Sequence, residues 1–437
     1  MMRSNYKVLF GILRQGSWFR MESSVALLNL ATVATGFLLQ IVVVRLAGIG
    51  SSADAYFATA AIPQVALSIA VHVASGALMP QLSQIERPAR VTTVWAALRV
   101  ISLFGLPLAI VLYLTAPHWV FMLFPGFAAA GVEESVPLAA LAALAAPFAV
   151  MTAVLSSYLY AERRFVTNEA IALGTTIALT IAAAILIPRF GIVALGWLVL
   201  LRFIVQLIGL LAFLPFPGAD PAVSSLRVVW RKGRILLAGA VYFKSDLLVD
   251  RFLLSLAPAG ALSLIIFGQS ILVAASGVLG QSLANTATPA LSAAHATGDR
   301  VEFRAILRRK MFLIIAASTG LLFASVLLVP PITSLLTSLA ITEQVVDLRW
   351  VLILLGGVPT GACTGALLAN AHYAMGDART PTLMTVFTFT IFLATKFFVF
   401  INYGLFAFCA LTSVYYLLNA GLLAWLLRRK LRLEFAA

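Results

Sequence analysis

The chain has 437 residues, of which 62% are hydrophobic and only 11% charged, with a mean hydropathy of +1.03. Soluble domains carry about 25% charged residues, and no soluble fold could hide this much apolar surface, so the composition excludes a water-soluble globular protein. The 30 Lys and Arg against 16 Asp and Glu give a formal charge of +14. In a soluble protein that surplus would suggest nucleic acid; in a membrane protein its meaning depends on where the charges fall.

The first 23 residues are basic and mildly amphipathic. The apolar run after them exceeds a signal-peptide core of about 7 to 15 residues, so this segment reads as a retained cytoplasmic stretch lying on the lipid surface. A helix needs roughly 20 apolar residues to cross about 30 Å of hydrocarbon. Runs that meet the test fall near 24–47, 55–79, 92–116, 137–160, 168–187, 191–215, 236–257, 260–289, 311–329, 351–375, 381–400 and 404–427. Their length predicts helices, because a barrel strand spans with about ten alternating residues. The expected fold class is therefore an all-α polytopic membrane protein with about twelve transmembrane helices.

With the N-terminus inside, 22 basic residues lie on the cytoplasmic side and only Arg45, Arg189 and Arg349 on the other. An odd helix count would destroy this asymmetry, so the positive-inside rule predicts both termini in the cytoplasm. The +14 is thus mostly topology, and no nucleic-acid partner is expected.

The chain also repeats itself. Tyr160-Ala161 followed by Thr167 recurs 213 residues later as Tyr373-Ala374 followed by Thr380, and Gly191 recurs as Gly404. Arg45 and Pro80 have looser counterparts in Arg251 and Pro289. This spacing predicts two six-helix lobes, 24–215 and 236–427, joined by a cytoplasmic linker at 216–235 and followed by a tail at 428–437. Because six is even, both lobes face the same way, a parallel internal repeat of the kind found in transporters.

Ionisable groups inside the spans are the most informative residues, since a charge at the bilayer centre is costly and is kept for a cavity or a partner. Helix 7 carries Lys244 and Arg251, seven apart on one face, and Asp246 and Asp250, four apart on another. Like charges at that spacing repel, which a bound proton or Na+ would relieve, so the two aspartates are the candidate ion-coupling site. Arg202 falls near the middle of helix 6, too deep to extend to the headgroups. With Lys244, Arg251 and Gln269 it is expected to line a substrate cavity. Arg99 and Lys396 lie nearer helix ends and are expected to stretch their stems toward the interface. His72 and His372 read as hydrogen-bonded packing. Gln40, Gln206, Gln281, Asn285 and Asn370 would bridge helices or line the space between lobes.

No nucleophile with a paired base, phosphate-cradling glycine loop or metal-ligand cluster is found. Cys363 and Cys409 both lie in apolar stretches. The expectation is therefore a protein that is not an enzyme and uses no cofactor or metal.

Ser52-Ala53-Asp54-Ala55-Tyr56-Phe57, Ile62-Pro63 and Ala77-Leu78-Met79-Pro80 resemble the lipid II flippases of the MurJ/MviN family. So do Ala116-Pro117-His118-Trp119-Val120 with Pro125-Gly126-Phe127, and Ser276-Gly277-Val278-Leu279-Gly280 with Pro289. The resemblance implies a multidrug/oligosaccharidyl-lipid/polysaccharide exporter fold, with two lobes around a cavity that opens alternately to each side. It also marks departures. The family carries cavity arginines on helices 1, 2 and 8, whereas here helix 1 before Arg45, helix 2 and the body of helix 8 have none, and Ser270 stands before the SGVLG stretch. The family commonly has fourteen helices.

The reading that results is a flippase of the bacterial cytoplasmic membrane moving a polyprenyl-diphosphate-linked saccharide, either lipid II or an exopolysaccharide or antigen repeat unit. Its expected partners are that substrate, membrane lipids, H+ or Na+, and other proteins of envelope biosynthesis. The alternatives are an ion-coupled antiporter of drugs or cations, which the paired aspartates would suit, and a transport-inactive scaffold of envelope assembly.

Overall fold

The computed structural model describes residues 2–129, 133–216, 223–279, 287–336, 342–377 and 379–433. Part of the expected linker (217–222), the end of expected helix 8 with Gly280, Gln281 and Asn285, and the last four residues of the tail lie outside the described residues. The described residues are overwhelmingly helical and contain no strand.

By their contacts the residues fall into two compact units, 1–256 and 257–437. The first holds α1 (Met2–Ala47), α2 (Ser51–Thr59), α3 (Ala61–Val73), α4 (Met79–Gln84), α5 (Arg87–Val100), α6 (Leu106–Leu114), α7 (Ala116–Leu123) and α8 (Pro125–Ala129). It continues with α9 (Ser135–Ala161), α10 (Phe165–Phe190), α11 (Val193–Leu211) and α12 (Val223–Ser255). The second holds α13 (Ala261–Leu279), α14 (Ala287–Ala296), α15 (Arg300–Leu336), α16 (Thr342–Leu355), α17 (Gly357–Ala374) and α18 (Arg379–Leu433). The helix expected to open the second lobe, α12, packs here against α3 and α5 of the first unit.

Among the described residues nine helical stretches are long and apolar enough to cross a membrane. One of them, within α18, runs for 54 residues, about 80 Å at 1.5 Å per residue, far beyond one bilayer. Gly404, at φ 73° and ψ −160°, breaks it into the two expected spans. α12 is long enough at 33 residues but carries four ionisable groups in its last turns, and α13 is apolar over Ala261–Leu272. Divided at Gly404, the nine stretches correspond to ten of the twelve expected crossings, and α12 and α13 lie at the positions of the other two. Two of the twelve are not plain α-helix: π-helical turns at Ala74–Leu78 and Ile101–Gly105 interrupt the second and third.

Each unit is organised on one enclosed helix. α9 touches every helix from α2 to α7 as well as α10 and α11, and most of its residues are buried. Its run of alanines explains why: small side chains let neighbours come close where lipid supplies no hydrophobic drive for association. α17 does the same in the second unit, touching α13, α14, α15 and α18. There Gly361 meets α18 so closely that a Cβ would stand 2.5 Å from the carbonyl carbon of Tyr416.

The backbone repeats what the sequence repeats. After α9 the N–H groups of Glu162, Arg163 and Arg164 bond to the carbonyls of Tyr158, Tyr160 and Leu159. After α17 those of Met375, Gly376 and Asp377 bond to Ala371, Tyr373 and His372, each 213 residues on. Gly191 and Gly404 likewise share one backbone conformation, φ 70° and ψ −171° against φ 73° and ψ −160°. That region is open to glycine almost alone, which is the physical reason both positions are glycine.

Candidate substrate site

The short helix α2, which carries the Asp54-Ala55-Tyr56-Phe57 motif, contacts α1, α3, α9, α11 and α12. Its residues from Ala53 to Thr59 are all buried. The sequence places on two of its neighbours the basic groups that need explaining, Arg202 on α11 and Arg251 on α12.

Arg202 is half-buried, and its Nε is enclosed without a hydrogen-bond partner. Its guanidinium carbon stands 5.3 Å from the centre of the Phe203 ring, and Tyr56 is within electrostatic reach. One turn further along the same face, Gln206 is buried with an unpartnered Oε1. Arg251 is only 5% exposed, with Nε and Nη1 both lacking hydrogen-bond partners, while Asp250 and Asp246 act on it electrostatically. The aspartates are therefore neighbours of the arginine, although spacing alone put the acids and the bases on different faces. Lys244, predicted to share the face of Arg251, is exposed. The far end of α12, one turn past Arg251, is the part that meets Gly126 of α8. Gln269 is half-buried on α13, in the second unit, and Ser270 spends its hydroxyl on the carbonyl of Ile266.

Buried arginine donors without partners are costly, because each N–H has lost water and gained nothing. Such groups persist where a ligand or a cavity uses them. A guanidinium presents a planar fork that matches phosphate oxygens at two points and stays charged when desolvated.

The structure gives three further residues their surroundings. Lys396, expected to stretch toward the headgroups, is fully buried, its Nζ 4.3 Å from the centre of the Phe392 ring and 5.4 Å from that of Phe408. Aromatic faces attract a desolvated cation, so packing from α18 itself replaces the interface as its environment. His372 is buried with Nδ1 3.0 Å from the carbonyl of Leu368, the packing role expected. Tyr56, which the sequence marks only as part of the motif, lies within electrostatic reach of Arg202.

The PGF element finds its reason here as well. Gly126 lies against the end of α12, where its N–H reaches the Ser255 hydroxyl at 3.4 Å. A Cβ at this position would stand 1.7 Å from the carbonyl oxygen of Ser255. Only glycine permits that approach, and it fixes the end of the helix that carries Arg251.

Helices of membrane-spanning length, built on a repeated helical frame and carrying buried polar groups, define a multi-pass membrane transporter. The chain belongs to the lipid II flippase MurJ family, whose profile matches residues 43–437. Its fold is similar to a lipid II flippase MurJ in an inward closed conformation, with TM-score 0.81 and 15% identity over 92% of this chain and 87% of that one. An inward-facing multidrug resistance transporter of the MATE family in the MOP superfamily gives 0.72 at 14% identity, covering 94% and 96%. A MOP superfamily transporter from Pyrococcus furiosus, described as having a binding pocket of reversed polarity, gives 0.65 at 14% identity, covering 94% and 95%. No curated protein matches the chain significantly in sequence.

Proposed function

We propose that this flippase carries a polyprenyl-diphosphate-linked saccharide, lipid II foremost, from the inner to the outer leaflet by alternating access. The diphosphate is held at Arg202 and Arg251. The observation that carries this reading is the pair of arginines on α11 and α12, the first half-buried and the second buried, each with enclosed nitrogens that lack hydrogen-bond partners. A sugar and a diphosphate cannot cross hydrocarbon unshielded, so polar walls and fixed positive charge must replace water. Family membership supports the substrate class. Lys244 on the same helix and Gln269 in the second unit are further proposed substrate contacts, and Asp246 and Asp250 are the proposed proton or Na+ site. The charge asymmetry of the loops supports an inner-membrane protein with both termini in the cytoplasm; external labelling of a cysteine placed at position 300 would refute that orientation.

Arg202→Ala and Arg251→Ala should each abolish glycan export while the protein reaches the membrane at normal level, with Arg→Lys giving partial rescue. Each loses about 2 to 5 kcal/mol of binding if it meets a buried phosphate. Normal export in both alanine variants, or drug efflux with no lipid-linked glycan accumulating on depletion, would overturn the assignment.

A further inference from the structure

Arg202 and Gln206 lie one turn apart on one face of α11, about 6 Å along its axis. Gln206 is 9% exposed, and its Oε1 is enclosed with no donor among the described residues. The adjoining stripe of the helix is apolar: Leu200 and Phe203 pack with Leu141, Ala145 and Ala149 of α9. Three residues past Gln206, Gly209 lies against α10, where a Cβ would stand 3.2 Å from Cγ2 of Ile171. The buried threonines of these two neighbouring helices have no proton to spare. Thr152 donates to the carbonyl of Ala149 at 2.7 Å, Thr175 and Thr176 to that of Ala172 at 3.0 and 2.7 Å, and Thr180 to that of Thr176 at 2.9 Å.

A buried carbonyl oxygen without a donor is costly, and methionine would fill the same space without that cost. Such an atom is retained where something outside the protein supplies the donor. A diphosphate does not. Its oxygens are acceptors at neutral pH, so it takes N–H groups from a guanidinium or an amide and leaves an amide oxygen empty. The hydroxyls and acetamide N–H groups of a sugar are donors, and the rise of one helical turn is comparable with the width of one sugar ring.

We propose that Gln206 recognises the saccharide, accepting at Oε1 a hydrogen bond from a hydroxyl or acetamide N–H of the sugar joined to the diphosphate. The contact rests on the diphosphate site proposed above: Arg202 takes the phosphate, and Gln206, a turn away, takes the ring bonded to it.

Gln206→Met removes the oxygen at nearly constant side-chain length. Binding is measured on the full chain in detergent by native mass spectrometry, using undecaprenyl diphosphate that is bare, carries one glucose or carries one N-acetylglucosamine. The parent should bind a sugar-bearing lipid more tightly than the bare one; a gain confined to N-acetylglucosamine assigns the donor to the acetamide N–H, and an equal gain for both sugars assigns it to a ring hydroxyl. Gln206→Met should lose about three- to tenfold on the sugar-bearing lipid and nothing on the bare one. Arg202→Ala should weaken all three. Without ligand, Gln206→Met should melt no lower than the parent, because it removes an unmet acceptor. Equal binding of bare and sugar-bearing lipids by the parent, an unaltered ratio between them in Gln206→Met, or a lower melting temperature of that variant without ligand would overturn the sugar contact. Unchanged binding of the bare lipid in Arg202→Ala would overturn the diphosphate site itself, on which the contact depends.

Discussion

Replacing Gly126 by alanine tests whether the PGF turn sets the position of the helix that carries Arg251. The added Cβ would meet the Ser255 carbonyl oxygen at 1.7 Å, its carbon at 2.4 Å and the Leu256 nitrogen at 2.9 Å. All three are backbone atoms, so no side chain can rotate away; reaching an ordinary contact of about 3.5 Å requires α8 or the end of α12 to move by well over an ångström. Overpacking usually costs 1–3 kcal/mol. Because the obstacle is backbone and the bond from Gly126 to Ser255 is lost too, about 3 kcal/mol or more is expected. At roughly 1 °C per kcal/mol for a chain of this size, the melting temperature in detergent should fall by at least about 3 °C. Glycan export should fall with it, since Arg251 sits one turn before Ser255. Gly174→Ala is the matched control: it lies within α10 with nothing within 4 Å of the added carbon, so it should stabilise by about 0.5–1 kcal/mol. An unchanged melting temperature in Gly126→Ala, or equal losses in both variants, would refute the close approach.

Two further outcomes follow from particular groups. Burial would raise the Asp377 carboxyl, but the Thr380 N–H and hydroxyl and the Lys430 ammonium outweigh it and hold the group down at about 2 against an ordinary 3.8. A depressed carboxylate contributes fully above its unfolded value and loses that contribution as pH falls through its folded one. Asp377→Ala should therefore cost about 1–2 kcal/mol at neutral pH, from the cap and a partly exposed ion pair, and the gap to the parent should close between about pH 4 and pH 2. A gap independent of pH in thermal melts would rule out the carboxylate as its source. On α12, Asp250→Asn should assemble normally and lose the dependence of transport on pH or membrane potential. Misfolding or unchanged transport would instead make Asp250 a structural neighbour of Arg251.

Much of this protein was legible in its residues. Hydrophobic length alone determined the all-helical, membrane-spanning class, because in lipid every backbone group must be satisfied within its own helix. The offset of 213 from Tyr160 and Gly191 to Tyr373 and Gly404 foretold turns that share hydrogen bonds and dihedral angles. Arg202 and Arg251 stood out for the same reason, since a charge in an apolar run is conspicuous whatever it touches. What those charges touch was decided only in three dimensions. Lys244 and Arg251 share a helix face by spacing, yet one is exposed and the other buried, and the buried one lies a turn from where α8 meets the end of α12. Lys396 lies in a cage of rings instead of the interface, and Gly126 is a glycine because a distant backbone carbonyl arrives beside it. Periodicity fixes which way a side chain leaves its own helix; the neighbour it meets comes from contacts far apart in sequence, which no local pattern encodes.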